Sequence, residues 1–92
     1  DDTLNGGDGR DDMYGGNDDD TLNGGLERDT MRGGNGIDVL SGVDFIDVMY
    51  GVAGTDTLVG GIGYDTINGG SDDDLLQGDS GNDSLRGDSV ED

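Results

Sequence analysis

An aspartate recurs every nine residues along this 92-residue chain, at Asp2, Asp11, Asp20, Asp29, Asp38, Asp47, Asp56, Asp65, Asp74, Asp83 and Asp92. Five residues before each of them, from Asp11 onward, stands a glycine, in a series that runs from Gly6 to Gly87. Two residues after each, from Asp2 to Asp83, stands one apolar residue: Leu4, Met13, Leu22, Met31, Leu40, Met49, Leu58, Ile67, Leu76 and Leu85. One unit of glycine turn, acidic residue and single core side chain has been repeated without insertion. A fixed period of this kind implies a solenoid, in which each unit packs only on its neighbours, and the function must be read from the unit itself.

The phase divides the chain into a partial unit over 1–5, nine full nonapeptides over 6–86 and a partial unit over 87–92. There is no proline and no break in composition, so a single domain is expected. The chain opens and closes inside a unit, without the polar caps that solenoid ends usually carry, and is expected to be a piece of a longer protein. In Gly33-Gly34-Asn35-Gly36-Ile37-Asp38 the glycines supply backbone conformations that other residues resist. The first six positions are therefore expected to turn, and the last three, as in Val39-Leu40-Ser41, to form a short strand with Leu40 inward. Two turns and two strands close one 18-residue coil, and stacking at about 4.8 Å gives a rod roughly 24 Å long. The expected fold is all-β: a parallel β-roll of two sheets facing across a thin layer of Leu, Met and Ile.

Only 28% of the residues are apolar and 21 are glycine, so the core is too small to offset the cost of ordering so flexible a backbone. Twenty-three acidic residues face four arginines, with no lysine or histidine, for a formal charge of −19. Such a chain repels itself, and it lacks the basic footprint that nucleic acid or an anionic membrane surface requires. A multivalent cation would relieve both problems. Thiolate sites and disulfides are excluded because there is no cysteine, and no apolar run approaches the ~20 residues of a membrane span, so no membrane insertion is expected.

In an 18-residue coil the aspartates form two columns. Asp2, Asp20, Asp38, Asp56, Asp74 and Asp92 fall on one edge, and Asp11, Asp29, Asp47, Asp65 and Asp83 on the other. Stacked carboxylates repel unless a cation separates them, and glycine turns add carbonyl oxygens. An irregular, all-oxygen donor set suits Ca²⁺, whereas Mg²⁺ prefers octahedral sites with retained water and Zn²⁺ prefers nitrogen or sulfur.

The unit Gly-Gly-x-Gly-x-Asp-x-(Leu/Met/Ile)-x closely resembles the RTX, or haemolysin-type, calcium-binding nonapeptide. Gly6–Tyr14, Gly33–Ser41 and Gly60–Asn68 match it at every defined position. The resemblance implies a β-roll with Ca²⁺ held between turns n and n+2, in a secreted bacterial protein that is exported unfolded and folds in external calcium. The candidate ligands are the side chains of Asp11, Asp20, Asp29, Asp38, Asp47, Asp56, Asp65, Asp74 and Asp83. With them go the backbone carbonyls of Gly7, Gly9, Gly16, Asp18, Gly34, Gly36, Gly54, Gly61, Gly63, Gly70 and Asp72. Perfect stacking allows up to about nine ions, which would bring the formal charge from −19 to about −1 and couple folding to calcium.

Departures from the unit separate the two edges. The fourth position needs a left-handed backbone, which suits Asp18 and Asp72 better than Glu27, Phe45 or Val90. Glu27 and Phe45 fall on the Asp11–Asp83 edge, where weaker sites are expected around Asp29 and Asp47, with Arg28 partly replacing a cation. The edge through Asp20, Asp38, Asp56 and Asp74 is expected to bind best.

Competing readings are weaker. A disordered acidic linker would not keep a nine-residue phase. The acidic runs Asp18–Asp20 and Asp72–Asp74 lack the cleft with two unlike environments that paired catalytic carboxylates need, so no enzymatic activity is expected in this chain. The glycines precede no phosphate-binding lysine. Tyr14 and Tyr50 fall two coils apart on one outer face, as surface residues or a docking patch for a flanking domain. Two functional classes stand: a calcium-dependent folding module of an exported enzyme or toxin, or an adhesive or ice-binding solenoid that calcium rigidifies. The ice-binding reading is weakened by the ladder Thr3, Thr21, Val39, Thr57, Leu75, which is not uniformly threonine. Either class acts outside the cell or on its surface.

Overall fold

A computed structural model of the chain describes residues 1–88. Val90 and Asp92 lie outside the described residues. Ten strands follow the repeat: β1 (Thr3–Gly7), β2 (Asp12–Gly16), β3 (Thr21–Gly25), β4 (Thr30–Asn35), β5 (Val39–Asp44), β6 (Val48–Ala53), β7 (Thr57–Ile62), β8 (Thr66–Ser71), β9 (Leu75–Ser80) and β10 (Ser84–Asp88). Each begins at the seventh position of a repeat, which is Thr or Val in seven of the ten strands, side chains that suit a pleated surface.

The odd strands form one parallel sheet, β1-β3-β5-β7-β9, and the even strands the other, β10-β8-β6-β4-β2. Neighbours pair in a register of 18, as in Leu22↔Leu40 and Met31↔Met49. The expected two-sheet β-roll with an 18-residue coil is therefore the fold. Each ladder starts with the seventh-position N–H donating to the carbonyl of an aspartate in the preceding coil, as Thr21 does to Asp2 at 2.9 Å.

The strands are longer than the three residues expected. They run for five or six, through the first glycine and into the second or third position of the next repeat. The first glycine keeps the in–out alternation and occupies an inward position. The second still pairs, as in Gly7↔Gly25 and Val43↔Gly61, although its φ is positive. Only the middle of each nominal six-residue turn actually turns. The outline is consequently a slab of 32 × 28 × 14 Å rather than a slender rod.

Met13, Leu22, Met31, Leu40, Met49, Leu58 and Ile67 make the buried core, with Leu4 and Leu76 partly buried against it. Leu85, expected in the same row, is 45% exposed. It lies on β10, an outer strand of its sheet among the described residues, and pairs in register with Ile67. On the outer face of the even sheet, Arg32 pairs between Tyr14 and Tyr50 and lies 4.9 Å over the Tyr50 ring.

Candidate metal sites

The repeat aspartate enters the fold as an interior residue. It stands two residues before the apolar core position, hence on the same face of the chain. Asp20, Asp29, Asp38, Asp47, Asp56 and Asp65 are at most 2% exposed. Each inner row of a coil thus reads aspartate, apolar residue, glycine.

One carboxylate oxygen of each aspartate from Asp20 to Asp83 has a fixed task. Oδ1 accepts the backbone N–H of the aspartate 18 residues earlier: Asp20 from Asp2, Asp38 from Asp20, Asp56 from Asp38 and Asp74 from Asp56, at 2.7–2.8 Å. The second column repeats this with Asp29, Asp47, Asp65 and Asp83, at 2.8–2.9 Å. The two columns expected from the period are therefore real and continuous, each a chain of charge-assisted bonds between successive coils.

The other oxygen is placed differently. Oδ2 of Asp11, Asp20, Asp29, Asp38, Asp47, Asp56 and Asp65 is buried without a hydrogen bond. It lies against the first glycine of its own repeat: a Cβ added at Gly33 would stand 2.5 Å from Oδ2 of Asp38, and one at Gly51 the same distance from Oδ2 of Asp56. The first glycine is absent of side chain because the carboxylate fills that space. This glycine is therefore a strand residue and not the turn residue expected from the sequence; the same period-two count that puts the aspartate inside is the signal for it.

Burial without a partner disfavours the charged form. Desolvation pushes the carboxyls of Asp47 and Asp56 up to about 6, against the opposing effect of the N–H bonds from Asp29 and Asp38, and neighbouring carboxylates add to the rise. Asp29, Asp38 and Asp65 are raised for the same leading reason. A buried, partnerless carboxylate oxygen must be neutralised by a proton or a cation, and the donors available are all oxygen. The residues present therefore fit a hard divalent cation such as Ca²⁺.

The candidate carbonyl residues all fall on the two turn edges. Gly7, Gly9, Gly16, Gly34, Gly36, Gly54, Gly61, Gly63 and Gly70 have positive φ, as do Asp18 and Asp72 at 74° and 76°. Equivalent carbonyls stack from coil to coil, so that the oxygens of Gly16, Asp18 and Val43 lie against the α-carbons of Gly34, Gly36 and Gly61. The Gly7 carbonyl already accepts the Leu26 N–H at 2.9 Å. Among the described residues no group of three or more acidic side chains converges on one point.

Glu27 and Phe45 hold the left-handed conformation too, with φ of 75° and 80°, so the edge they occupy keeps the path of the repeat at the cost of strain. Arg28 does not replace a cation by ion pairing. Its position points outward, its side chain is exposed, and among the described residues it makes no ion pair. It lines a shallow cleft with Arg10, Glu27, Phe45 and Ile46.

The protein-family model of the RTX calcium-binding nonapeptide repeat matches the chain in four copies, over residues 1–31, 32–67, 50–85 and 65–92. The chain belongs to that family. Neither the curated proteins nor the solved structures gave a match. The chain is thus a calcium-binding RTX β-roll, a non-catalytic module whose aspartates stack in two ladders. RTX repeats typify secreted bacterial proteins.

Proposed function

We propose that this β-roll is a calcium-driven folding module of a larger secreted bacterial protein, such as an exported enzyme or toxin. The observation that carries the reading is the run of interior aspartates whose Oδ2 has no partner. Without a cation these groups oppose the fold that buries them. With one they hold it, so the same carboxylates that keep the chain unfolded at low calcium complete it at high calcium. The two aspartate columns, with the turn carbonyls named above, are the ligands, for up to about nine ions at the affinities of extracellular modules, about 10⁻⁴–10⁻³ M. Flanking domains of the parent protein are the partners that gain from a rigid, calcium-set neighbour.

The edge through Asp20, Asp38, Asp56 and Asp74 carries glycine or aspartate at each fourth position described, and we assign it the stronger sites. Ion counting by equilibrium dialysis of the chain and of its Asp38→Asn and Asp47→Asn variants tests this. Both variants should lose bound calcium, Asp38→Asn the more. An unchanged ion count in both would contradict the ligand assignment. The outward ladder Thr3↔Thr21↔Val39↔Thr57↔Leu75 weakens the ice-binding alternative, because Val39 is 43% and Leu75 61% exposed.

A further inference from the structure

The three methionines of the chain, Met13, Met31 and Met49, all lie on the even sheet, one on each of β2, β4 and β6. The register stacks them directly, Met13↔Met31↔Met49, so that their thioethers form one continuous wall of the core. The odd sheet opposes this wall with leucine alone, at Leu22, Leu40 and Leu58. Met31 and Met49 are fully buried and Met13 is 6% exposed. A thioether tolerates this site, since it is apolar and polarizable. A sulfoxide does not: its oxygen needs a hydrogen-bond donor, whereas the facing side chains are leucine, the interior aspartates of the same row offer carboxylate oxygens, and the strand N–H groups belong to the sheet ladders.

We propose that this methionine column is an oxidation site whose access is controlled by folding. Peroxides are the reactant class. The sulfur lone pair attacks a peroxide oxygen, the O–O bond breaks, an S=O bond forms and the second oxygen leaves as water or alcohol. Sulfur is oxidised and the peroxide reduced. In the unfolded chain all three sulfurs meet the oxidant, and the sulfoxides then bar the chain from its fold. In the calcium-folded roll Met31 and Met49 are shielded. The order in which the chain meets calcium and oxidant therefore decides whether the module folds. The inference rests on the calcium-coupled folding proposed above.

The test is hydrogen peroxide treatment of the chain, with and without calcium, followed by mass spectrometry of each methionine and a calcium titration read by circular dichroism. Calcium-free chain should gain oxygen at all three methionines and then need calcium raised by about tenfold or more to fold, or fail to fold. Calcium-folded chain should react at Met13 before Met31 and Met49. Methionine sulfoxide reductase should restore the original titration, and a Met13→Leu/Met31→Leu/Met49→Leu variant, close in volume, should fold with calcium whether or not it has met peroxide. An oxidised chain that folds at the calcium level of the untreated one would overturn the proposal alone, as would equal oxidation rates in the two states. An untreated chain that ignores calcium would overturn the folding reading, and this proposal with it.

Discussion

At the scale of single residues, the repeat is a fit between a carboxylate and a missing side chain. Gly33→Ala should cost about 1–3 kcal/mol in a calcium-saturated thermal melt, because the new methyl meets the carboxylate of Asp38. Phe45→Gly should do the reverse and raise the melting temperature, by relieving a left-handed φ of 80° worth about 1–3 kcal/mol, less the added freedom of the unfolded chain. The same carboxylates fix the pH dependence. Their folded pKa values lie above the unfolded 3.8, reaching about 6 at Asp47 and Asp56, so between those values the folded state binds more protons than the unfolded one. Stability of the calcium-free roll must then fall as pH rises from about 4 to 6 and level off above. Circular dichroism of calcium-free chain across that range should show β structure strongest in mild acid; the opposite slope would mean that the aspartates are not desolvated. The aspartate's interior position was available from the sequence, two residues before each leucine. That signal is weak because charged residues are seldom buried, and an oxygen-only pocket leaves no mark on a sequence besides the glycine that makes room for it.

At the scale of the strand, alternation and register determine what each substitution costs. Leu40 is fully buried between Leu22 and Leu58, so Leu40→Ala should cost about 2–5 kcal/mol. Leu85→Ala, on an outer strand and 45% exposed, should cost well under half as much, although the repeat gives the two residues the same place. Equal losses in chemical denaturation would show that β10 is as well covered as β5. Period and register were legible from the spacing alone. Strand length was not, because the glycine pair was read as turn: glycine's low strand preference hides the fact that the first of the pair continues the pleat and the second pairs while in a positive-φ conformation.

At the scale of the whole molecule, two sheets of modest area share a core made of one row of side chains from each, and a charge of −19 works against them. Each coil touches only its neighbours, so stability propagates along the stack, and the aspartate bonds that join successive coils make it cooperative. The two turn edges differ in character. Leu26, Phe45, Ile46, Ile62 and Tyr64 are exposed on one, while the other exposes Asp18, Asp19, Thr55, Asp72 and Asp73 with Ile37 and Val52 among them. That contrast comes from individual departures from the repeat, of which Glu27, Phe45 and the acidic runs Asp18–Asp20 and Asp72–Asp74 stand out in the sequence. The most direct measurement of the central claim is a calcium titration of the chain followed by far-ultraviolet circular dichroism, with magnesium in parallel. The account predicts a steep, cooperative rise of β signal in calcium and none at the same concentrations of magnesium; a roll already formed in metal-free neutral buffer, or formed equally by magnesium, would contradict it.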